Sequence, residues 1–312
     1  MTRWCLKLVE NLQLPCGYAS PACVMLVVLG LTMLAGQPRA RAASPTPWSA
    51  ATQSRVRLIS AGGLVDGHYR VGIEIELQGR AHTYWRSPGD SGVPPDFTFG
   101  GSQNLGAADV QFPVPRRLME SGSEIFGYLD RVVLLVRVTP ADVKKQVPLE
   151  LQLNYATCEQ ICVPASAKLA IVLKPDDAVT PEQPLINEWQ ARIPKPLLPS
   201  SVAAPDAPVV VITPAPATTT DGHTNPTWHV DMTPDLPDAT LFPESPAGWF
   251  VVARKAAKSG FDLEAVEHPA VGEATESLAL ALTIANDAGR PTGAWQGSYD
   301  LAVHLDVAPA KP

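Results

Sequence analysis

Tyr69-Arg70-Val71-Gly72-Ile73-Glu74-Ile75-Glu76-Leu77 alternates apolar residues with mostly charged ones. A period of two puts Tyr69, Val71, Ile73, Ile75 and Leu77 on one face, the pattern of a half-buried strand. Upstream, Arg55-Val56-Arg57-Leu58-Ile59 starts with the same alternation. Downstream, residues 131–138 form a continuous β-branched and leucine run suited to a central strand, and Leu149-Glu150-Leu151-Gln152-Leu153-Asn154-Tyr155 alternates again. Lys168-Leu169-Ala170-Ile171-Val172-Leu173 closes the block. Short strands punctuated by Gly and Pro predict an all-β fold, an antiparallel sandwich of immunoglobulin-like size over residues 54–175. The Cys-Trp-Cys spacing of true immunoglobulin domains is absent.

The rest of the chain divides around this block. Residues 43–53 read as a loose leader. Residues 176–205 read as a connector holding one short helix, because Leu185, Ile186, Trp189 and Ile193 have helical spacing and Pro194, Pro196 and Pro199 follow. The alternative for this segment is a flap packed on the first sandwich. Residues 206–312 return to strand patterns at 209–212, 227–232, 249–253, 278–284 and 299–305, a second and smaller β-domain. Pro214-Ala215-Pro216 and Asn286-Asp287-Ala288-Gly289 read as turns, and residues 308–312 as a frayed tail.

Residues 1–42 read as a signal peptide. Arg3 and Lys7 supply the positive end, residues 24–34 are almost entirely apolar, and Ala40-Arg41-Ala42 fits a cleavage site. The apolar run is short for a membrane span, which needs ~20 residues. Cleavage there takes away four Lys/Arg and one Glu, so the formal charge moves from −7 to −10. That acidic balance, with no basic stripe carrying aromatics, argues against nucleic acid as a partner. The expected location is the periplasm.

Cysteine usage then becomes informative. Cys5, Cys16 and Cys23 fall in the signal peptide, which leaves Cys158 and Cys162 in an oxidising compartment. Residues four apart meet in a turn, and a bridge there closes a very small ring. Such a ring constrains the unfolded chain weakly. It departs easily from ideal geometry and becomes easier to reduce. The pair therefore suits exchange better than stapling, although a modest structural disulfide is the alternative. Glu159 is adjacent and no Lys, Arg or His lies between Ala156 and Val163. A carboxylate disfavours a neighbouring thiolate, so the pair is suited to reacting with a docked partner. Two thiolates need further ligands to hold zinc or copper, and the nearest histidines in sequence, His82 and His223, are far away. The expectation is no metal and no cofactor.

Three stretches, in order, resemble a known family. Tyr155-Ala156-Thr157-Cys158-Glu159-Gln160-Ile161-Cys162-Val163-Pro164 resembles the active-site loop of the N-terminal periplasmic domain of the thiol:disulfide interchange protein DsbD, in its ScsB-like branch. Gly79-Arg80-Ala81-His82-Thr83-Tyr84-Trp85-Arg86-Ser87-Pro88-Gly89-Asp90-Ser91-Gly92-Val93-Pro94-Pro95-Asp96-Phe97 is similar to the same branch, as is Gly122-Ser123-Glu124-Ile125-Phe126-Gly127-Tyr128. The resemblance implies an immunoglobulin-like sandwich whose cysteines carry electrons. The donor would be a membrane-embedded thiol transporter of DsbD or CcdA type, and the acceptors periplasmic thioredoxin-fold proteins. It implies a cap loop over the cysteines, here Arg117-Leu118-Met119-Glu120-Ser121, with Met119 as the shield. The family's transmembrane and C-terminal thioredoxin domains have no counterpart in these 312 residues, so the expectation is a standalone module. Cys158 and Cys162 are the expected catalytic pair, with Met119, Glu120, Tyr84, Trp85, Tyr155 and Pro164 as cap or neighbouring wall. His82, Tyr84, Trp85 and Arg86 read as a wall beside the cysteine loop; the competing reading is structural, with Tyr84 and Trp85 in the sandwich core and Arg86 paired to a surface acid. Asp90 and Asp96 read as loop caps or proton donors.

Two other functions stay open at this stage. One is a binding or chaperone sandwich with a structural disulfide. The other is a copper-handling protein. No phosphate-binding glycine loop, no G-x-S-x-G elbow and no paired-His motif stands in the chain.

Overall fold

A computed structural model describes residues 43–197, 207–220, 223–236, 238–269, 277–286 and 293–303. The expected signal peptide with its cysteines, the connector's end at 198–205, turn residues 287–289 and the tail lie outside them.

The first half of the chain is strand throughout. In order come β1 (Ser49–Ala50), β2 (Ser54–Ser60), β3 (Tyr69–Leu77), β4 (His82–Gly89), β5 (Asp96–Thr98) and β6 (Leu105–Gln111). Then follow β7 (Arg116–Glu120), β8 (Ser123–Leu129), β9 (Arg131–Pro140), β10 (Val147–Cys158) and β11 (Cys162–Leu173). One sheet runs β1-β2-β3-β9-β6; the other runs β11-β10-β4-β8-β7, with β5 paired to β10. The strand pairs are antiparallel. This is the expected immunoglobulin-like sandwich. Leu58, Tyr69 and Ile73 from one sheet share a core with Trp85, Phe126 and Leu151 from the other.

The sandwich differs from its sequence pattern on the outer face of β3. Alternation places Glu74 toward solvent, yet it is only 1% exposed. Cross-strand neighbours explain this. Arg57 Nε lies 2.7 Å from Glu74 on one side and Arg131 Nε 3.4 Å on the other. Arg57 in turn stacks on Trp48. A carboxylate flanked by two guanidiniums is buried as part of a pair.

The helix α1 (Gln183–Gln190) follows the second sheet's last strand. Ile186 and Trp189 are buried in the first sandwich's core, and Asn187 Oδ1 accepts a 2.7 Å hydrogen bond from Arg70. The helix packs against β3 and β9. That cover explains the unbroken apolar run of β9, whose residues 132–136 are all buried.

The second half contains β12 (Lys195–Pro196), β13 (Val209–Thr220), β14 (His223–Thr233) and β15 (Ala239–Glu244). It ends with β16 (Phe250–Lys255), β17 (Phe261–Glu267), β18 (Ser277–Asn286) and β19 (Gly293–Ala302). Two four-stranded sheets result, β12-β19-β18-β15 and β13-β14-β17-β16. They enclose their own core around Trp228, Leu241, Leu263 and Ile284. Pro214-Ala215-Pro216, expected as a turn, lies inside β13 at a register irregularity. β13 is an edge strand, and an edge tolerates residues without an N–H donor.

The two halves meet along β15. Phe242 packs edge-on against Trp85 and Phe126 at 6.0 and 5.1 Å. Arg86 makes a two-pronged ion pair with Glu244, both bonds 2.7 Å. This joint is made on β4 and β8, and β4 is the strand paired with the cysteine end of β10.

Candidate functional site

β10 and β11 form one long hairpin joined by Glu159-Gln160-Ile161, and Cys158 and Cys162 are its last paired residues. Their Cα atoms are 4.0 Å apart and a disulfide joins them. The two sulfurs differ in access. Cys158 is 1% exposed, whereas Cys162 is exposed beside Ile161, itself 74% exposed.

Strand parity decides which neighbours reach them. Successive side chains point to opposite faces of a sheet. On β10, Ala156 and Cys158 share the outer face, so Tyr155 points into the sandwich core. There its hydroxyl lies 2.8 Å from Ser54 Oγ. On β4, His82 and Tyr84 share the cysteine face, while Trp85 belongs to the core and is wholly buried. Tyr84, Ile125, Ala156 and Cys158 make a small apolar cluster of their own beneath the bridge, with Leu118 at its side. The structure therefore brings Tyr84 to the sulfurs and takes Trp85 and Tyr155 away. Pro164 pairs with Ala156 on the edge strand and is exposed. Asp96 hydrogen-bonds Asn154 on β10, and Asp90 sits in the exposed loop after β4.

Tyr84 Oη lies 2.8 Å from Cys158 Sγ, 2.8 Å from Glu120 Oε2 and 3.5 Å from Cys162 Sγ. Its one proton serves one acceptor at a time, carboxyl oxygen or sulfur. Burial, then the hydrogen bond and charge of Glu120, push the phenol far above its ordinary range. It remains a donor at any physiological pH. Glu120 Oε1 lies 2.9 Å from Cys162 Sγ. A bridged sulfur carries no proton, so this contact becomes a hydrogen bond only once the pair is reduced. His82 Nε2 completes the set, 3.2 Å from Glu120 Oε2, with its ring edge-on to Tyr84. His82 is itself the cross-strand partner of Cys158.

Glu120 reaches the sulfurs from the segment expected as a cap loop. That segment is a strand, β7, turning into β8 through Ser121 and Gly122 at φ 50° and 93°. Two residues of positive φ make the tight turn that matches strand twist. Met119 lines the rim of the site and is 68% exposed. Behind it, Arg117 donates to Leu241 O at 3.0 Å and pairs with Glu124 at 2.7 Å. The second half of the chain thus holds the hairpin that carries Glu120.

Between this hairpin and the cysteine turn is an open cleft of about 710 Å³, lined by Arg80, His82, Met119, Glu120, Cys158 and Glu159 among others. Glu159, next to Cys158 in sequence, turns away to accept the Arg80 N–H at 3.3 Å. The carboxyl on the sulfurs comes instead from 38 residues upstream of Cys158. His82, far from the cysteines in sequence, stands beside them in the fold, as the cross-strand partner of Cys158. The period-two count along β4 puts it on the same face as Tyr84. Among the described residues, His82, Glu120 and Cys158 form the group whose ligand-type atoms lie within 4.8 Å of one another.

These features define an immunoglobulin-like sandwich with a cysteine bridge at the tip of a hairpin, one sulfur open and one covered. Residues 55–174 match the family model described as thiol:disulfide interchange protein DsbD, N-terminal. The fold is similar to the crystal structure of the N-terminal periplasmic domain of ScsB from Proteus mirabilis. That likeness has a TM-score of 0.62 at 18% identity and covers 84% of this chain and 100% of the other. It therefore extends past residue 174 into the second pair of sheets. No curated protein sequence matches the chain. No helix among the described residues is long and apolar enough to cross a membrane.

Proposed function

We propose that this protein is a periplasmic thiol–disulfide exchange protein that takes electrons from a membrane thiol transporter and passes them to thioredoxin-fold clients. The observation that carries the reading is the asymmetry of the bridge: Cys162 is open to a partner, and Cys158 is covered with Tyr84 Oη at 2.8 Å. The pattern of residues 1–42 and the pair's preference for an oxidising compartment support the location.

On loading, a donor thiolate attacks Cys162 Sγ along its exposed side. The Cys158–Cys162 bond breaks, a donor–Cys162 disulfide forms, and Cys158 leaves as the thiolate. Tyr84 turns its proton from Glu120 to that sulfur. A second donor thiolate then attacks the donor sulfur, so the donor is oxidised and Cys162 is released, protonated within reach of Glu120. Delivery to a client runs the same steps backwards: Cys162 attacks the client disulfide, and Cys158 resolves the mixed disulfide.

A hydrogen bond to a charged group contributes about 1.5–3 kcal/mol. Tyr84→Phe is accordingly expected to slow reduction of the bridge by dithiothreitol by about ten- to a hundredfold and to raise the Cys158 thiol's titration in the reduced protein. Stopped-flow rates and pH-dependent alkylation read both. An unchanged rate with an unchanged titration would remove Tyr84 from the mechanism.

A further inference from the structure

The cysteine cluster holds more donors than disulfide exchange uses. Two sulfurs, an imidazole and a carboxyl converge from four strands of one sheet: Cys158 on β10, Cys162 on β11, His82 on β4 and Glu120 on β7. His82 Nε2, a Glu120 oxygen and Cys158 Sγ lie within 4.8 Å of one another, and Cys162 Sγ is 2.9 Å from Glu120. A tetrahedral zinc ion with bonds of about 2.0–2.3 Å needs donors roughly 3.3–3.8 Å apart. The sulfurs are too close because they are bonded, and Glu120 stands just short of that range, 2.9 Å from Cys162 Sγ and 3.2 Å from His82 Nε2. Reduction frees the sulfurs to separate by side-chain rotation, and the other two donors need shift by only a few tenths of an ångström. Sulfur, nitrogen and oxygen donors in a four-membered set suit zinc. Cys158 and His82 are buried on directly paired strands, which favours a preformed half of the site.

We propose that the reduced protein binds one zinc ion through the thiolates of Cys158 and Cys162, His82 and Glu120, and that the oxidised protein does not. The chemistry balances simply. A dithiol or phosphine reductant supplies two electrons to the bridge and two thiols result. Zn²⁺ then displaces the two thiol protons. Bound zinc keeps Cys162 from attacking a client, so the metal acts as a redox-gated brake on exchange. The proposal needs a reducible pair, as the exchange reading also does.

The test uses the full-length chain with Cys5, Cys16 and Cys23 replaced by serine. It is reduced by a phosphine, freed of reductant without oxygen, and shown by alkylation to carry two thiols. Zinc is then titrated in competition with a chromophoric chelator. The expected result is one equivalent bound by the reduced chain and none by the oxidised chain, with affinity at least tenfold weaker in His82→Ala and in Glu120→Gln. Glu120 is on a surface hairpin, so its variant reports even where His82→Ala misfolds. Zinc at a hundred times its Kd is expected to shift the pair's midpoint by a hundredfold in the reducing couple, about 59 mV. A reduced chain that exchanges with dithiols but yields all zinc to the chelator would overturn the metal site alone. Retained zinc with wild-type affinity in Glu120→Gln would overturn the ligand assignment. A bridge that yields no thiols would overturn both readings.

Discussion

Cys162→Ser is expected to abolish thiol exchange, while Cys158→Ser is expected to stop the cycle one step later. The difference follows from access. Cys162 is the exposed sulfur and Cys158 is 1% exposed beneath Tyr84. With Cys162 gone, the remaining thiol sits where a partner sulfur cannot approach in line. Turnover of a thioredoxin-fold client should fall by on the order of 10³-fold or more, as when an essential nucleophile is lost. No mixed disulfide should accumulate. With Cys158 gone, Cys162 still attacks but nothing resolves the adduct. A covalent complex should then persist on non-reducing gels and disappear with dithiothreitol. The opposite pattern, trapping by Cys162→Ser, would reverse the assignment of the two sulfurs.

Trp85→Ala is expected to be the most damaging substitution away from the sulfurs. Trp85 is wholly buried between Phe126 and Phe242, at 6.3 and 6.0 Å, with Arg86 stacked 4.8 Å from its ring. Removing it opens a cavity at the joint of the two halves, at a cost of about 3–5 kcal/mol. Because that joint backs β4, the cavity should also loosen Tyr84 and His82 on the opposite face. Trp85→Phe should cost much less. It keeps the aromatic contacts and removes an indole N–H that has no acceptor among the described residues. Urea unfolding of the three proteins measures the difference. A loss below 1 kcal/mol for Trp85→Ala would show that the joint does not carry the stability assigned to it.

Much of the fold was legible wherever one face of a strand is wet. β3 begins and ends where its alternation does, at Tyr69 and Leu77, and the apolar run of β9 marks a strand buried on both faces. β4, β7 and β8 were harder to read. In β4, residues 82–85 are all buried, so no alternation survives to be counted. In β8, Gly127 interrupts the pattern, yet it is required there: a Cβ would stand 2.4 Å from Thr83 O.

The site was legible in its chemistry and hidden in its surroundings. Cys158 and Cys162 announce themselves by spacing. Glu159 is the sequence neighbour, but Glu120 is the carboxyl in contact, because the fold brings β7 and β10 to the same end of one sheet. Tyr84 and Trp85 are adjacent in the chain and have opposite fates, one on the sulfurs and one in the core. Parity along a strand separates them, and parity becomes usable only once the strand's register against β10 is known.

The most direct test of exchange is the reduction potential of Cys158–Cys162. The full-length chain with Cys5→Ser, Cys16→Ser and Cys23→Ser would be equilibrated against defined thiol–disulfide buffers, with the oxidised fraction read by mass spectrometry. The account predicts a midpoint well above about −300 mV, in the range where exchange proteins work. A midpoint below that value would mark a structural staple and contradict the assignment.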